Sequence, residues 1–466
     1  MDVRQFAEQV VLNLPYDPTD QQMLLVGALS RFCSSHTPSD SVFLLNGYAG
    51  TGKTSLCASL VKTLNSIGIK TVLLAPTGRA AKVFSAFAHH PAYTIHRRIY
   101  TSGGNGITTP RAMKLAENRA TNTLFIVDEA SMIGADDMSG NLLENLIHYV
   151  YSGVNCRLIL LGDTAQLPPV GCEESPAMNV EVLKSYGLHV TRAIMTETVR
   201  QGRESGILYN ATRLRRSMRL EQLPAPRLLI SPFDDVLSLS GEYLAESLGD
   251  AYGRDGVGQT ILITRSNKRA TDFNLAIRSN ILYREEELCR DELLLVAKNN
   301  YFWSKEVKGL DFIANGDVAV VVKVYGTERR YGCRFADVKL YLPDRDVELD
   351  CKIMLDTLVS ESASMSREDM TSLFESIIKD PLDEETSDAT RAANALKSPY
   401  FNALQVKYGY AVTCHKAQGG QWRNVYVDMG HIPAEAMGMD FYRWLYTATT
   451  RATHTLYYVN PTIELS

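Results

Sequence analysis

The chain has 466 residues, 45% apolar and 22% charged, with a net charge of −5; this is too long for one core, predicts two to four domains, and excludes a bulk basic coat for nucleic acid while leaving room for a local basic groove. Its eight cysteines form no CxxC pair, which argues against a zinc ribbon or redox motif and for reduced, buried thiols. The N-terminus lacks the apolar core of a signal peptide, and no apolar run of about 18 residues appears, so a cytoplasmic protein without a membrane span is expected.

In chain order, residues 1–40 read as an N-terminal helical segment. Within it "PTDQQM" (18–23) places Gln22 ahead of the first strand, where its amide can pair with both N6 and N7 of an adenine; a plain surface glutamine is the other reading. "SVFLLNG" (41–47) is a short apolar run ending in glycine. In "SLCASLVKTLNSIG" (55–68), Leu56, Leu60, Leu64 and Ile67 fall at helical spacing and Gly68 stops the helix. "IKTVLLAP" (69–76) then reads as a buried strand, and the runs at 122–131, 155–163 and 189–199 repeat the pattern of an apolar strand followed by a polar switch. The class is α/β, with a doubly wound parallel sheet over the first part of the chain. Residues 97–121, rich in Gly, Asn, Thr and Pro with interspersed Arg and Lys, predict a small hairpin-like insertion. A second α/β set covers 201–284 and 400–466. It is split by 285–399, whose alternating runs predict a small antiparallel, barrel-like module followed by an exposed acidic segment.

The chemistry-bearing stretches lie at strand ends. "GYAGTGKTS" (47–55) fits G-x-x-x-x-G-K-[ST] through Gly47, Gly52, Lys53 and Thr54, with Gly50 and Ser55 in the same loop. Such a loop turns backbone N–H groups toward phosphate, its lysine neutralises β/γ-phosphate charge, and its hydroxyl can ligate Mg²⁺. "FIVDEASM" (125–132) ends an apolar strand with Asp128, suited to Mg²⁺, and Glu129, suited to deprotonating water. "LLGDTAQLPPVG" (160–171) carries Gln166, whose amide can accept from water and donate to a phosphoryl oxygen, whereas a capped turn suffices for Asp163. Arg200 and Arg451 follow elements in the two different halves, and both could reach a transferring phosphoryl group only across a cleft between those halves. In "VTCHKAQGGQW" (412–422), Gln418 and Gly419 could face that phosphate, while Thr413, His415 and Lys416 could face a nucleic-acid strand.

The ordered set "GYAGTGKTS", "LLAPTGRAAK", "TIHRRI", "VDEASM", "LLGDTAQLPPVG", "VRQ", "YGYAVTCHKAQGGQW" and "LYTATTRA" resembles superfamily 1 DNA helicases of the RecD-like branch. The resemblance implies two RecA-like motor domains, with a wedge or pin insertion in the first and a β-barrel-like, SH3-like insertion in the second. It implies an ATPase site of Lys53, Thr54, Asp128, Glu129, Gln166, Arg200 and Arg451, with Gln22 near the base. It places Pro76, Thr77, His96, Thr264, Asn267, Thr413 and His415 along single-stranded DNA. ATP and Mg²⁺ are the implied cofactors. The implied partners are single-stranded DNA and duplex junctions, with protein partners in repair or replication; relatives move 5′ to 3′, and a monomer is expected. The wedge candidate has no obvious aromatic tip, Tyr100 being its nearest ring.

Overall fold

The computed structural model describes residues 2–34, 36–101, 114–134, 141–198, 205–305, 307, 310, 312–380 and 387–465. Its first sheet contains β1 (Ser41–Gly47), β2 (Lys70–Ala75), β3 (Ala92–Thr94), β6 (Thr123–Val127), β7 (Arg157–Gly162) and β8 (His189–Met195), in the spatial order β3-β2-β6-β7-β1-β8. All of its pairings are parallel. Near-continuous apolar runs fit a sheet covered on both faces. Phe43, Leu45, Ile126 and Ile159 pack on one side, with the helices Val3–Leu12, Asp20–Phe32 and Lys53–Ser66. Leu44, Phe125, Val127 and Leu158 pack on the other, with Leu142–Tyr151. Alternate residues of one strand thus enter two cores, which is why a period-2 pattern is absent from these segments.

β4 (Tyr100–Thr101) and β5 (Lys114–Leu115) pair antiparallel, at the base of the insertion expected over 97–121. Residues 102–113, the middle of that expected insertion, lie outside the described residues, as does Arg200. The second sheet contains β10 (Val236–Leu239), β11 (Thr260–Thr264), β17 (Ala411–Thr413), β18 (Trp422–Asp428) and β19 (Ala452–Val459), ordered β10-β19-β18-β11-β17 and again parallel. β9 (Arg227–Leu228) and β20 (Glu464–Leu465) add a short parallel pair beside it.

Between β11 and β17 the chain builds a closed barrel from β12 (Leu293–Val296), β13 (Val318–Arg330), β14 (Cys333–Leu342), β15 (Val347–Met354) and β16 (Leu404–Tyr408). The last strand corrects the expected boundary at 399/400: β16 pairs with β12 and β15 inside the barrel rather than with the second sheet. Only Gly409 and Tyr410 separate β16 from β17, so "LQVKYGYAVT" carries no break in pattern where the chain changes sheets. The barrel interior (Val321, Val338, Leu340, Ile353) is continuous with the core under Leu262 and Tyr426 of the second sheet. Among the described residues no helix is long and apolar enough to cross a membrane.

Candidate nucleotide site and nucleic-acid track

β1, β6 and β7 are neighbours in the first sheet, so the loops at their C-terminal ends converge at one edge, where doubly wound sheets bind ligands. A cleft of about 280 Å³ opens there, and its lining includes Gly50, Gly52, Lys53, Thr54, Ser55, Asp128, Glu129, Gln166, Gly419 and Arg451. Larger depressions of about 680 and 710 Å³ lie beside Lys70 and Thr123 at the opposite ends of β2 and β6, and on the barrel near Lys323 and Tyr325; the first takes in Arg98 of "TIHRRI", and neither takes in a residue assigned above to the nucleotide or to the strand.

The phosphate loop is shaped from within. Gly50 and Gly52 hold φ of 73° and 82°, a left-handed region that glycine enters without steric cost, and Gly52 caps the helix Lys53–Ser66. A Cβ on Gly52 would stand 2.3 Å from the Tyr16 hydroxyl. Lys53 Nζ donates to the Gly47 carbonyl and, at 3.3 Å, to that of Tyr48. Gln22 does not present its amide to a ligand in this structure. Its Oε1 accepts from Thr19 N (3.0 Å), and its Nε2 donates to the Thr51 carbonyl (2.9 Å) and the Tyr16 hydroxyl (3.2 Å). The cause is local: Thr19 begins a helix and Gln22 is its third residue, so the pair forms a capping box, and the remaining amide protons brace the phosphate loop from behind.

The carboxylates follow β6. Asp128 Oδ1 accepts from Glu129 N (2.8 Å). Burial, and then the neighbouring Glu129, push the Asp128 carboxyl up to about 6, against the opposing pull of Lys53, the Glu129 amide and Thr54. Glu129 sits at φ 54°, ψ 35°, a left-handed conformation rare for a residue with a side chain; strain of this kind concentrates at functional positions. Gln166 is 6% exposed, and its buried Oε1 has no hydrogen-bond partner among the described residues. A buried amide oxygen left unbonded is costly, and a ligand in the cleft would relieve it.

The second sheet supplies the far wall. Arg451 is 4% exposed, and among the described residues its donors meet neutral oxygens: Thr447 O (3.0 Å), Gly420 O (3.2 Å) and Thr450 Oγ1 (3.1 Å). Gly419 lines the cleft, whereas Gln418, expected to face phosphate, turns away and donates to the Leu167 carbonyl (2.7 Å). The second core also takes in Tyr48, Ala165 and Leu167 from the first half.

The residues assigned to a nucleic-acid strand are spread over both halves. Pro76 and Thr77 are part-exposed, and the Thr77 hydroxyl caps the helix Gly78–Ala88 by accepting from Ala80 N (3.2 Å). His96 lies against Tyr100 and against Phe312 of the barrel insertion, with ring centroids 5.6 and 6.0 Å away. His415 is exposed, while Asn267, Thr413 and Lys416 line one small depression together with Lys407. Thr264 departs from the expectation: it is fully buried, and its hydroxyl donates to the Ser266 carbonyl (3.0 Å), because the end of β11 turns there and the side chain satisfies the turn rather than a ligand.

Several residues at these sites escape sequence reading. Ile207 and Leu208, from the helix Gly206–Ser217, and Phe87 line the cleft without any motif of their own. Lys407 reads as an ordinary strand residue; burial, and then Lys416, lower it to about 8. Asp163, read as a capped turn, does accept from Ala165 N (3.0 Å), but its second oxygen accepts from the hydroxyl of Tyr446 in the other half (2.7 Å).

Residues 28–223 match the AAA domain family, and residues 408–459 match the UvrD-like helicase C-terminal domain. The ATP-dependent RecD2 DNA helicase of Deinococcus radiodurans is 36% identical over a stretch covering 27% of this chain and 16% of that protein. The ATP-dependent DNA helicase Pif1 of Campylobacter jejuni is 21% identical over 89% of this chain and 87% of that one. Among solved structures, Pif1 helicase from Bacteroides in complex with ADP-AlF3 and ssDNA aligns with a TM-score of 0.47 at 14% identity, covering 96% of this chain and 93% of that one.

Proposed function

Because the chain belongs to the RecD-like, Pif1-type branch of the superfamily 1 helicases, we propose that it is an ATP-dependent motor that moves 5′ to 3′ along single-stranded DNA and separates duplex DNA, in repair, recombination or replication. The observation that carries this is the shared cleft: Arg451 from the second half lines the same space as Lys53, Asp128, Glu129 and Gln166 from the first. A ligand bridging the two walls couples its own chemical state to their separation.

In this reading the backbone and Lys53 hold the β- and γ-phosphates of ATP. Glu129 accepts a proton from the attacking water. Gln166 and Arg451, joined by Arg200, contact the oxygens on which charge builds during transfer. The Thr54 hydroxyl and the Asp128 carboxylate are the hard oxygen donors that suit Mg²⁺, which when bound neutralises phosphate charge. Residues 41–200 form the first motor and the 97–121 insertion its wedge; the second motor is 201–284 with the chain after Tyr408, and the barrel reaches to that residue. Pro76, Thr77 and His96 meet one stretch of the strand, and Asn267, Thr413, His415 and Lys416 the next, through sequence-independent contacts.

The test uses duplexes carrying a 5′ or a 3′ single-stranded tail, with Lys53→Ala as control. The reading expects unwinding of the 5′-tailed substrate, fuelled by ATP and absent in the variant. Unwinding that survives Lys53→Ala, or an absolute requirement for a 3′ tail, would overturn the fuel site or the polarity respectively.

A further inference from the structure

The phosphate loop is gripped from outside its own sheet. The Tyr446 hydroxyl, on the helix Met439–Thr449 of the second half, accepts from Ala49 N in the loop (2.9 Å) and donates to Asp163 Oδ2 beyond β7 (2.7 Å). Tyr446 and Asp163 are each 1% exposed, so the bond between them is buried, while the one to Ala49 N is part-buried. The same helix holds the same segment a second time, since Leu167 N donates to Thr447 Oγ1 (2.8 Å). Tyr48, next in the loop, lies under the Arg215 guanidinium at 4.3 Å and accepts from Arg219 Nη2 at 3.0 Å.

We propose that Tyr446 is a positioning residue that ties the phosphate loop to the helix leading into Arg451 and to the segment bearing Gln166, so that the state of the loop is felt at both. The connections are short. Arg451 follows that helix directly, its N donating to the Ala448 carbonyl (3.2 Å), and Gln166 N donates to the Asp163 carbonyl (3.2 Å). A phenylalanine would fill the same space, so packing alone does not call for the oxygen, whereas one donor and one acceptor both spent on the opposite half do. Burial, and then the Asp163 carboxylate, push the hydroxyl well above its ordinary value, so it stays a donor at every working pH. The inference rests on the motor reading above and adds a residue that contacts neither nucleotide nor strand in it.

The test compares Tyr446→Phe, Asp163→Asn and the double variant with the intact protein for melting temperature, affinity for a fluorescent ATP analogue, and ATP turnover with and without single-stranded DNA. The expected result for Tyr446→Phe is a cooperative melt, nucleotide affinity within about threefold, little change in KM for ATP, and a kcat with DNA lower by roughly tenfold to a hundredfold, the scale of one lost hydrogen bond to a charged group. The double variant should be no worse than the worse single one, because both remove the same connection. An unchanged kcat, a rise in KM alone, or losses that multiply in the double variant would each overturn the proposal. Should Tyr446→Phe fail to melt cooperatively, Asp163→Asn decides alone by the same split between KM and kcat. If the intact protein's turnover ignores DNA, the motor reading fails; if it responds and Tyr446→Phe responds equally, only the role of Tyr446 fails.

Discussion

Gly78→Ala probes how the barrel meets the first half. Gly78 opens the helix Gly78–Ala88, and an added Cβ would stand 2.6 Å from Asp317 Oδ1 and 3.0 Å from Arg345 Nη2, both from the barrel. Neither neighbour retreats cheaply. Asp317 is 2% exposed and its other oxygen accepts from Ala314 N (2.9 Å). Arg345 is packed with its Nε and Nη2 buried. Overpacking of this kind costs about 1–3 kcal/mol, partly offset by the roughly 0.5–1 kcal/mol that alanine gains over glycine in a helix. An overpacking cost in the middle to upper part of that range leaves a net penalty of about 1–2 kcal/mol on the contact between barrel and helix. The neighbouring Lys82–Asp344 pair (3.2 Å) is a contrast: Lys82 is 51% exposed, so Lys82→Ala should cost under about 1 kcal/mol. Amide hydrogen exchange over the turn 343–346 reads the contact directly. Gly78→Ala should speed exchange there by about fivefold to thirtyfold, and Lys82→Ala by less. Exchange at the intact rate in Gly78→Ala, or a larger effect from Lys82→Ala, would refute the steric reasoning.

Three further outcomes follow from the cleft and the track. Glu129→Gln should bind nucleotide normally and lose turnover by about a hundredfold or more; turnover near that of the intact protein would assign the base elsewhere. Asp128 has a carboxyl raised to about 6, so its contribution to the stability of the ligand-free protein is full below about pH 4 and is lost as pH rises through 6, a swing of about 3 kcal/mol. Without Mg²⁺, Asp128→Asn should therefore melt higher than the intact protein at pH 7–8, with the gap closing toward pH 4; a lower melt at pH 8 would contradict that sign. Lys407, lowered to about 8, is charged below that pH and neutral above it. Single-stranded DNA affinity should fall as pH rises through 8, with the salt dependence losing up to about one ion's slope, and Lys407→Met should remove the pH effect; a pH response surviving in that variant would assign it to another group.

What could be read from sequence was what is local along the chain. The phosphate loop, Asp128 with Glu129, and the apolar strands before them announce themselves within ten residues, and the structure gathers them around one cleft. Placing Arg451 opposite Lys53 needed only the inference that both halves face one ligand. What stayed hidden was decided by competition among partners. Gln22 has an adenine-pairing amide, but Thr19 and the Thr51 carbonyl claim it. Thr264 ends a strand, but its own turn takes the hydroxyl. Gln418 bonds to the opposite half rather than lining the cleft. The hydroxyl of Tyr446 reaches Ala49 across 397 positions of chain, a pairing with no periodicity or composition to reveal it.

In the proposed motor, nucleotide chemistry in the cleft between the two sheets is coupled to a strand of DNA lying across them. The most direct measurement is the rate of ATP hydrolysis by the purified protein, titrated with single-stranded DNA, duplex DNA and single-stranded RNA under one salt condition. The expected result is a slow basal rate that single-stranded DNA raises severalfold and saturably. A rate that no oligonucleotide alters, or one raised by RNA alone, would contradict it.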